Sequence, residues 1–174
     1  MTNALPPAAA DKAAAGVFRI ALGVEYKGSR YRGFQRQIAG VPSVQESLER
    51  ALSKVAGGAP VTLSCAGRTD ALVHACGQVV HFDTQVERSM HAWVMGANMN
   101  LAPDISVTWA QSMPLHFDAR FSALARRYRY VIYNDQIRPA HMAEEVTWNH
   151  RPLDVVKMRE AAACLIGTHD FSAF

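Results

Sequence analysis

No stretch of this 174-residue chain approaches the run of about 18 apolar residues that a membrane-spanning helix requires. A helical membrane span is therefore excluded from the functions open to it. Cysteine is scarce too: Cys65, Cys76 and Cys164 contain no Cys-x-x-Cys pair, and their usage fits a reducing, cytoplasmic setting. A metal site drawn from Cys65, His74, Cys76 and His81 would have a spacing that matches no usual zinc pattern, so no metal is expected. The opening Met1–Gly16 is rich in Ala and Pro but lacks a basic segment followed by an apolar core. Residues 1–16 read as a disordered tail rather than a signal peptide. Charged residues make up only 19% against 49% hydrophobic, which is the balance of a globular chain able to bury a core.

The charge that is present has a location. Between Val17 and Gln37, Arg19, Lys27, Arg30, Arg32 and Arg36 face Glu25 alone, a local +4 in a chain of net +3. A solvated surface loop would account for a basic run by itself. Here the arginines interleave with Tyr31, Phe34, Gln35 and Gln37, which widens the reading. Guanidinium forks bind phosphates, rings stack on bases and amides bond base edges or sugars. Arg30, Arg32, Arg36 and Gln35 are accordingly candidate RNA contacts.

Periodicity orders the rest. Phe18, Ile20, Leu22, Val24 and Tyr26 alternate with polar or small residues, predicting a half-buried strand. Ser43 and Glu46 form a capping-box pattern ahead of Val44, Leu48, Ala51, Leu52 and Val55, a helical apolar stripe ended by Gly57-Gly58. Strands are expected over about Val61–Ala66 and Gln78–Thr84, a helix over Met90–Met99 after Ser89, and a strand through Ile105, Val107 and Trp109. In Gln78–Thr84, Val80 and Phe82 share one face, His81 and Asp83 the other. The order βαββαβ predicts an α+β class: a ferredoxin-like unit over residues 17–113, helices on one face of an antiparallel sheet and the other face free. A second, incomplete α/β unit over residues 114–174 follows, with strands at Arg126–Asn134 and Glu145–Asn149 and a helical stripe from Val155 to Ile166 closed by Gly167. One or two strands and a helix cannot satisfy their own sheet edges, so this unit reads as truncated or completed by a partner.

The motif with the most chemistry is Gly67-Arg68-Thr69-Asp70-Ala71-Leu72-Val73-His74, which places a cation and a carboxylate at a strand end. Taken alone, Asp70 is a turn residue with Arg68 as its surface partner, Tyr128 is a packed sheet tyrosine, and His74 and His81 are structural polar residues. The motif does not stand alone. Gly67–Ala71 with Val73-His74 resembles the catalytic loop of the tRNA pseudouridine synthase A family. Gly33-Phe34-Gln35-Arg36-Gln37 resembles its N-terminal signature, and Gly77-Gln78-Val79-Val80-His81-Phe82 the strand after its loop. Phe117-Asp118-Ala119-Arg120-Phe121-Ser122 and Arg126-Arg127-Tyr128-Arg129-Tyr130 resemble its second segment.

The resemblance implies an isomerase that converts uridine to pseudouridine in the anticodon arm of tRNA, around tRNA positions 38–40. It implies Asp70 as the catalytic nucleophile, Tyr128 as the ring that stacks on the target base, and Arg68 as an aid to base flipping. It further implies no metal or organic cofactor, a cytoplasmic homodimer, tRNA as the partner, no membrane, and the pseudouridine synthase fold. The residue types suit that chemistry, since an ionised carboxylate can attack C1′ or hold charge near it, and a planar ring restacks an extruded base. Leu72 stands where the family pattern usually has glycine; if that position needs a positive φ or a close approach of RNA, leucine adds strain or bulk next to Asp70. The family's chain also continues past Phe174. A non-catalytic RNA-binding fragment or paralogue on the same scaffold is the alternative.

Overall fold

A computed structural model describes residues 16–173; the predicted N-terminal tail, apart from Gly16, lies outside the described residues. The chain forms two compact units, one ending at Arg126 and one running from Arg127 onward.

The first unit is built on strand β1, Phe18–Tyr26, as the alternation predicts. It lies between β3 (Ala75–Thr84) and β4 (Ile105–Met113), antiparallel to both, and the short β2 (Ser64–Cys65) flanks β3. The order β2-β3-β1-β4 is that of a split βαβ unit. Helix α1 (Val44–Val55) opens where Ser43 Oγ accepts the Glu46 N–H at 3.3 Å, and Gly57 at φ +70° follows its end. The Glu46 carboxylate is turned to Arg36, 3.8 Å away. Helix α2 (Met90–Asn98) is capped in the same way by Ser89. Ile20, Leu22 and Val24 of β1, Val80 and Phe82 of β3, and Val107 of β4 form one core with Val44, Leu48 and Leu52 of α1 and Trp93 of α2. The Phe82 and Trp93 rings meet edge to face at 5.1 Å.

Two expectations are revised. The predicted strand Val61–Ala66 has ladder pairing only at Ser64 and Cys65. Val61 and Leu63 are buried as predicted, but α1 takes their amides: Val61 N–H donates to Ser53 Oγ and Leu63 N–H to Glu49 Oε1. The second sheet face is also partly covered. Arg19 grips Asp83 through two bonds of 2.7 Å and donates to the Leu115 and Phe117 carbonyls. His81 Nδ1 accepts the Ala119 N–H at 3.1 Å, with the Phe117 ring edge-on beside it. The 115–119 segment is thereby tied down over β1 and β3.

The second unit pairs β5 (Ile132–Asn134) in parallel with β6 (Thr147–Asn149), then forms helix α3 (Val155–Ala163). Strand pairing covers three residues of each predicted strand, because Ile132 is the first residue to face a partner, Thr147. Asp154 caps α3 through the Val156 and Lys157 amides, a start signal the periodicity alone does not reveal. The helix ends at Ala163, short of the predicted stripe, and none of its residues is buried. Among the described residues no helix is long and apolar enough to cross a membrane.

Candidate active site

The Gly67–His74 motif occupies the connection from β2 to β3, and the end of β1 and the basic loop after it hold that connection in place. Tyr26, at the end of β1, shares a 2.7 Å hydrogen bond between its hydroxyl and Thr69 Oγ1. Phe34 N–H donates to the Thr69 carbonyl at 2.9 Å. Gly33 sits at φ +103°, and a Cβ there would lie 3.1 Å from that same carbonyl, so the two loops approach to backbone contact. On the far side Gly28 N–H donates to His74 Nδ1 at 3.2 Å. The Val73 N–H returns to the Asp70 carbonyl at 3.3 Å and closes a turn with Ala71 and Leu72 at its corners. Leu72 has φ +70°, the positive φ that its glycine-like place in the motif suggests.

The base of the motif is fixed as firmly. The Gln78 side chain, buried on β3, both donates to the Gly67 carbonyl and accepts the Gly67 N–H. Arg126 donates to the Ala66 carbonyl through Nε at 2.9 Å and Nη2 at 2.5 Å, and to the Arg120 carbonyl at 3.0 Å. Thr69, Gln78 and Arg126 carry no signal in sequence that marks them as supports. Their role follows from where the topology puts them.

Between the two loops lies a cleft of about 260 Å³. Arg32, Gly33, Gln35 and Gln37 line it from the basic loop, and Arg68, Thr69, Asp70 and Ala71 from the motif. Asp70, Arg68 and Arg32 are exposed, and among the described residues no ion pair occupies them. An open carboxylate that shares a cleft with two open guanidiniums has the chemistry to hold a phosphate-bearing ligand and to present a carboxylate to it.

The other arginines of the basic loop are held by acids outside the cleft lining. Arg36 bonds the buried Glu49 at 3.1 Å, and Arg30 lies 3.7 Å from Asp104. Tyr31 and Phe34 are buried core residues and cannot stack on a base, a correction to the interleaved reading. Each has the bulk to fill the core, and the Tyr31 hydroxyl donates to Asp104 at 2.8 Å. Burial, and then that bond, push the Tyr31 pKa up to about 12. Tyr128 belongs to the second unit, where its ring is 70% exposed. His74 and His81 each use Nδ1 to accept a backbone amide, which is the structural role expected of them.

The family model described as tRNA pseudouridine synthase matches residues 23–122, more than half the chain and the whole of this cleft. The chain belongs to the tRNA pseudouridine synthase family. Its relatives include tRNA pseudouridine synthase A of Pseudomonas aeruginosa, 75% identical over all 174 residues and 61% of the relative. The protein of the same description from Alcanivorax borkumensis is 59% identical over 90% of this chain and 58% of its own. That from Klebsiella pneumoniae is 57% identical over 91% of this chain and 58% of its own. The chain thus spans about three fifths of the length of the curated relatives it matches. Within this family fold, the helices and core lock β1, the basic loop and the β2–β3 connection together. The Asp70 carboxylate then stands on backbone that is hydrogen-bonded at the Thr69 carbonyl and at its own carbonyl.

Proposed function

We propose that this chain carries the catalytic cleft of a tRNA pseudouridine synthase, an isomerase acting on uridine in the anticodon arm around tRNA positions 38–40. One observation carries the reading: the open Asp70 carboxylate faces the same cleft as Arg68 and Arg32, in a chain of this family. Asp70 is the nucleophile or charge holder at C1′ while the N1–C1′ bond breaks. The uracil then turns, C5 bonds to C1′ as any Asp70–C1′ bond breaks and frees the carboxylate, the C5 proton passes to water and N1 takes one up, so atoms balance without an oxidant or cofactor. Arg68 helps hold the extruded nucleotide by its phosphate, Arg32 and Gln35 hold the flanking backbone, and Tyr128 stacks on the target base. Arg30 and Arg36 add further RNA contacts at the edge of this surface. The active assembly is a cytoplasmic homodimer laying one tRNA across both subunits.

Nucleoside analysis of undermodified tRNA tests this, using the chain as it stands and the same chain extended to the length of its relatives. Pseudouridine appearing around positions 38–40 is the expected result. No pseudouridine from the extended form would overturn the proposal.

A further inference from the structure

Resting on the reading of the cleft as a site for RNA, we infer that Leu72 is an apolar substrate contact, a wedge packing against a base or ribose beside the nucleotide at Asp70. Leu72 occupies the third position of the turn Asp70-Ala71-Leu72-Val73 at φ +70°, the sole non-glycine residue with positive φ among those described. Turns of this kind take Gly or Asn there, because Gly has no Cβ to strain and the short amide of Asn offsets the strain by bonding the local backbone. The strained residue is instead a leucine, 60% exposed, with the adjoining Val73 39% exposed. Neither strain nor solvent exposure of an isobutyl group benefits the folded chain by itself.

The surroundings hold the strain in place. The Val73 carbonyl lies against Gly28, where a Cβ would come within 2.1 Å, and Thr69 is bonded from both Tyr26 and Phe34. The turn is therefore fixed, and Leu72 is presented two residues from the carboxylate. Strained residues that persist in an over-determined setting mark functional positions. The side chains of the neighbouring cleft that can reach a substrate are mainly charged or amide-bearing, Arg32, Gln35, Gln37, Arg68 and Asp70, and suit phosphate, sugar and base edges, while Leu72 stands on the same turn just outside that lining. Leu72 offers the apolar face that an unstacked base pair step leaves without a neighbour, which is how apolar wedges act on nucleic acids.

Fluorescence anisotropy with transfer RNA, read across a salt series, tests this beside thermal unfolding of the same proteins. Leu72→Gly and Leu72→Ala are expected to weaken binding by about tenfold, the effect of losing a largely buried leucine contact. The slope of affinity against salt should be unchanged, because no phosphate contact is lost, whereas Arg68→Ala should lower it. Leu72→Met should restore most of the affinity. Leu72→Gly should unfold at the same or a higher temperature than the parent, which separates lost contact from lost fold. Unchanged binding by Leu72→Gly and Leu72→Ala, alongside weakened binding by Arg68→Ala, would overturn the wedge alone. Failure of the parent chain to bind transfer RNA would overturn the RNA reading and the wedge with it.

Discussion

Gly28→Ala probes how the scaffold positions Asp70 without touching the cleft lining. An alanine Cβ at this position would lie 2.1 Å from the Val73 carbonyl oxygen and 2.6 Å from its carbon. Ordinary contact begins near 3.4 Å, so the methyl falls short by roughly 1.3 Å. Both partners are backbone-anchored, and no rotamer can swing either away. Gly28 does not have a positive φ, so the cost is one of space and not of backbone strain. The displacement reaches the backbone of Asp70, because Val73 N–H is bonded to the Asp70 carbonyl at 3.3 Å, and the carboxylate moves with that backbone. A shift of about 1 Å in a reacting group lowers turnover by about 10²-fold. Single-turnover pseudouridine formation by Gly28→Ala should fall by about that factor. Affinity for tRNA should fall by no more than the roughly tenfold assigned to the Leu72 contact, since Arg32 and Arg68 keep their charges and the clash reaches Leu72 but not the basic loop's side chains. Urea unfolding should show a loss of about 1–3 kcal/mol from overpacking. A single-turnover rate within twofold of the parent, at unchanged stability, would refute the coupling of Gly28 to Asp70.

Two further substitutions test the supports. Glu49→Ala on α1 leaves the buried Leu63 N–H without its acceptor, the Gln45 amide with the Leu63 carbonyl alone, and Arg36 without its 3.1 Å partner, so urea unfolding should report about 2–4 kcal/mol lost; a loss below about 0.5 kcal/mol, the size of a surface substitution, would contradict this. His81 tests acid stability. Burial, then the nearby Arg19 guanidinium, push its pKa below the usual value, and Nδ1 must stay unprotonated to accept the Ala119 amide. The unfolded chain takes up a proton below about pH 6.5 that the folded chain resists, so stability is full above that pH and falls as the pH drops, by up to about 1.4 kcal/mol per pH unit. His81→Gln should flatten that slope in urea titrations between about pH 5 and 7; an identical slope in parent and variant would contradict the assignment.

What sequence made legible was whatever a single element decides for itself. The alternation of β1 and the cap and stripe of α1 depend on local periodicity and local hydrogen bonds, and both stand where they were expected. Elements that depend on a partner were less legible. The apolar spacing of Val61 and Leu63 correctly marked burial, but nothing local shows that Ser53 and Glu49 take the amides a strand would have used. The strand expected from Arg126 begins at Ile132, where Thr147 first stands opposite it. Charge was the hardest to read. Five cations near the N-terminus look alike in sequence, yet Arg19, Arg30 and Arg36 are held by Asp83, Asp104 and Glu49, while Arg32 opens onto the cleft. The acids lie 13 to 74 positions away, so no short window of sequence pairs them. Arg68, Asp70 and Leu72 could be singled out because they sit in one contiguous motif, Gly67–His74, whereas the supports Gln78 and Arg126 reach Gly67 and Ala66 only through the folded sheet.

If Asp70 performs the chemistry in a cleft whose other groups bind RNA, binding and turnover separate on substitution of that one carboxylate. The most direct measurement compares Asp70→Asn with the parent for tRNA affinity and for pseudouridine formed in a single turnover. The parent sequence extended to the length of its relatives is the background for both. The substitution keeps the size of the side chain and removes the carboxylate charge, so the variant should fold and bind tRNA within a few-fold of the parent while forming no detectable pseudouridine. Pseudouridine formed by Asp70→Asn at the parent's rate would contradict the account.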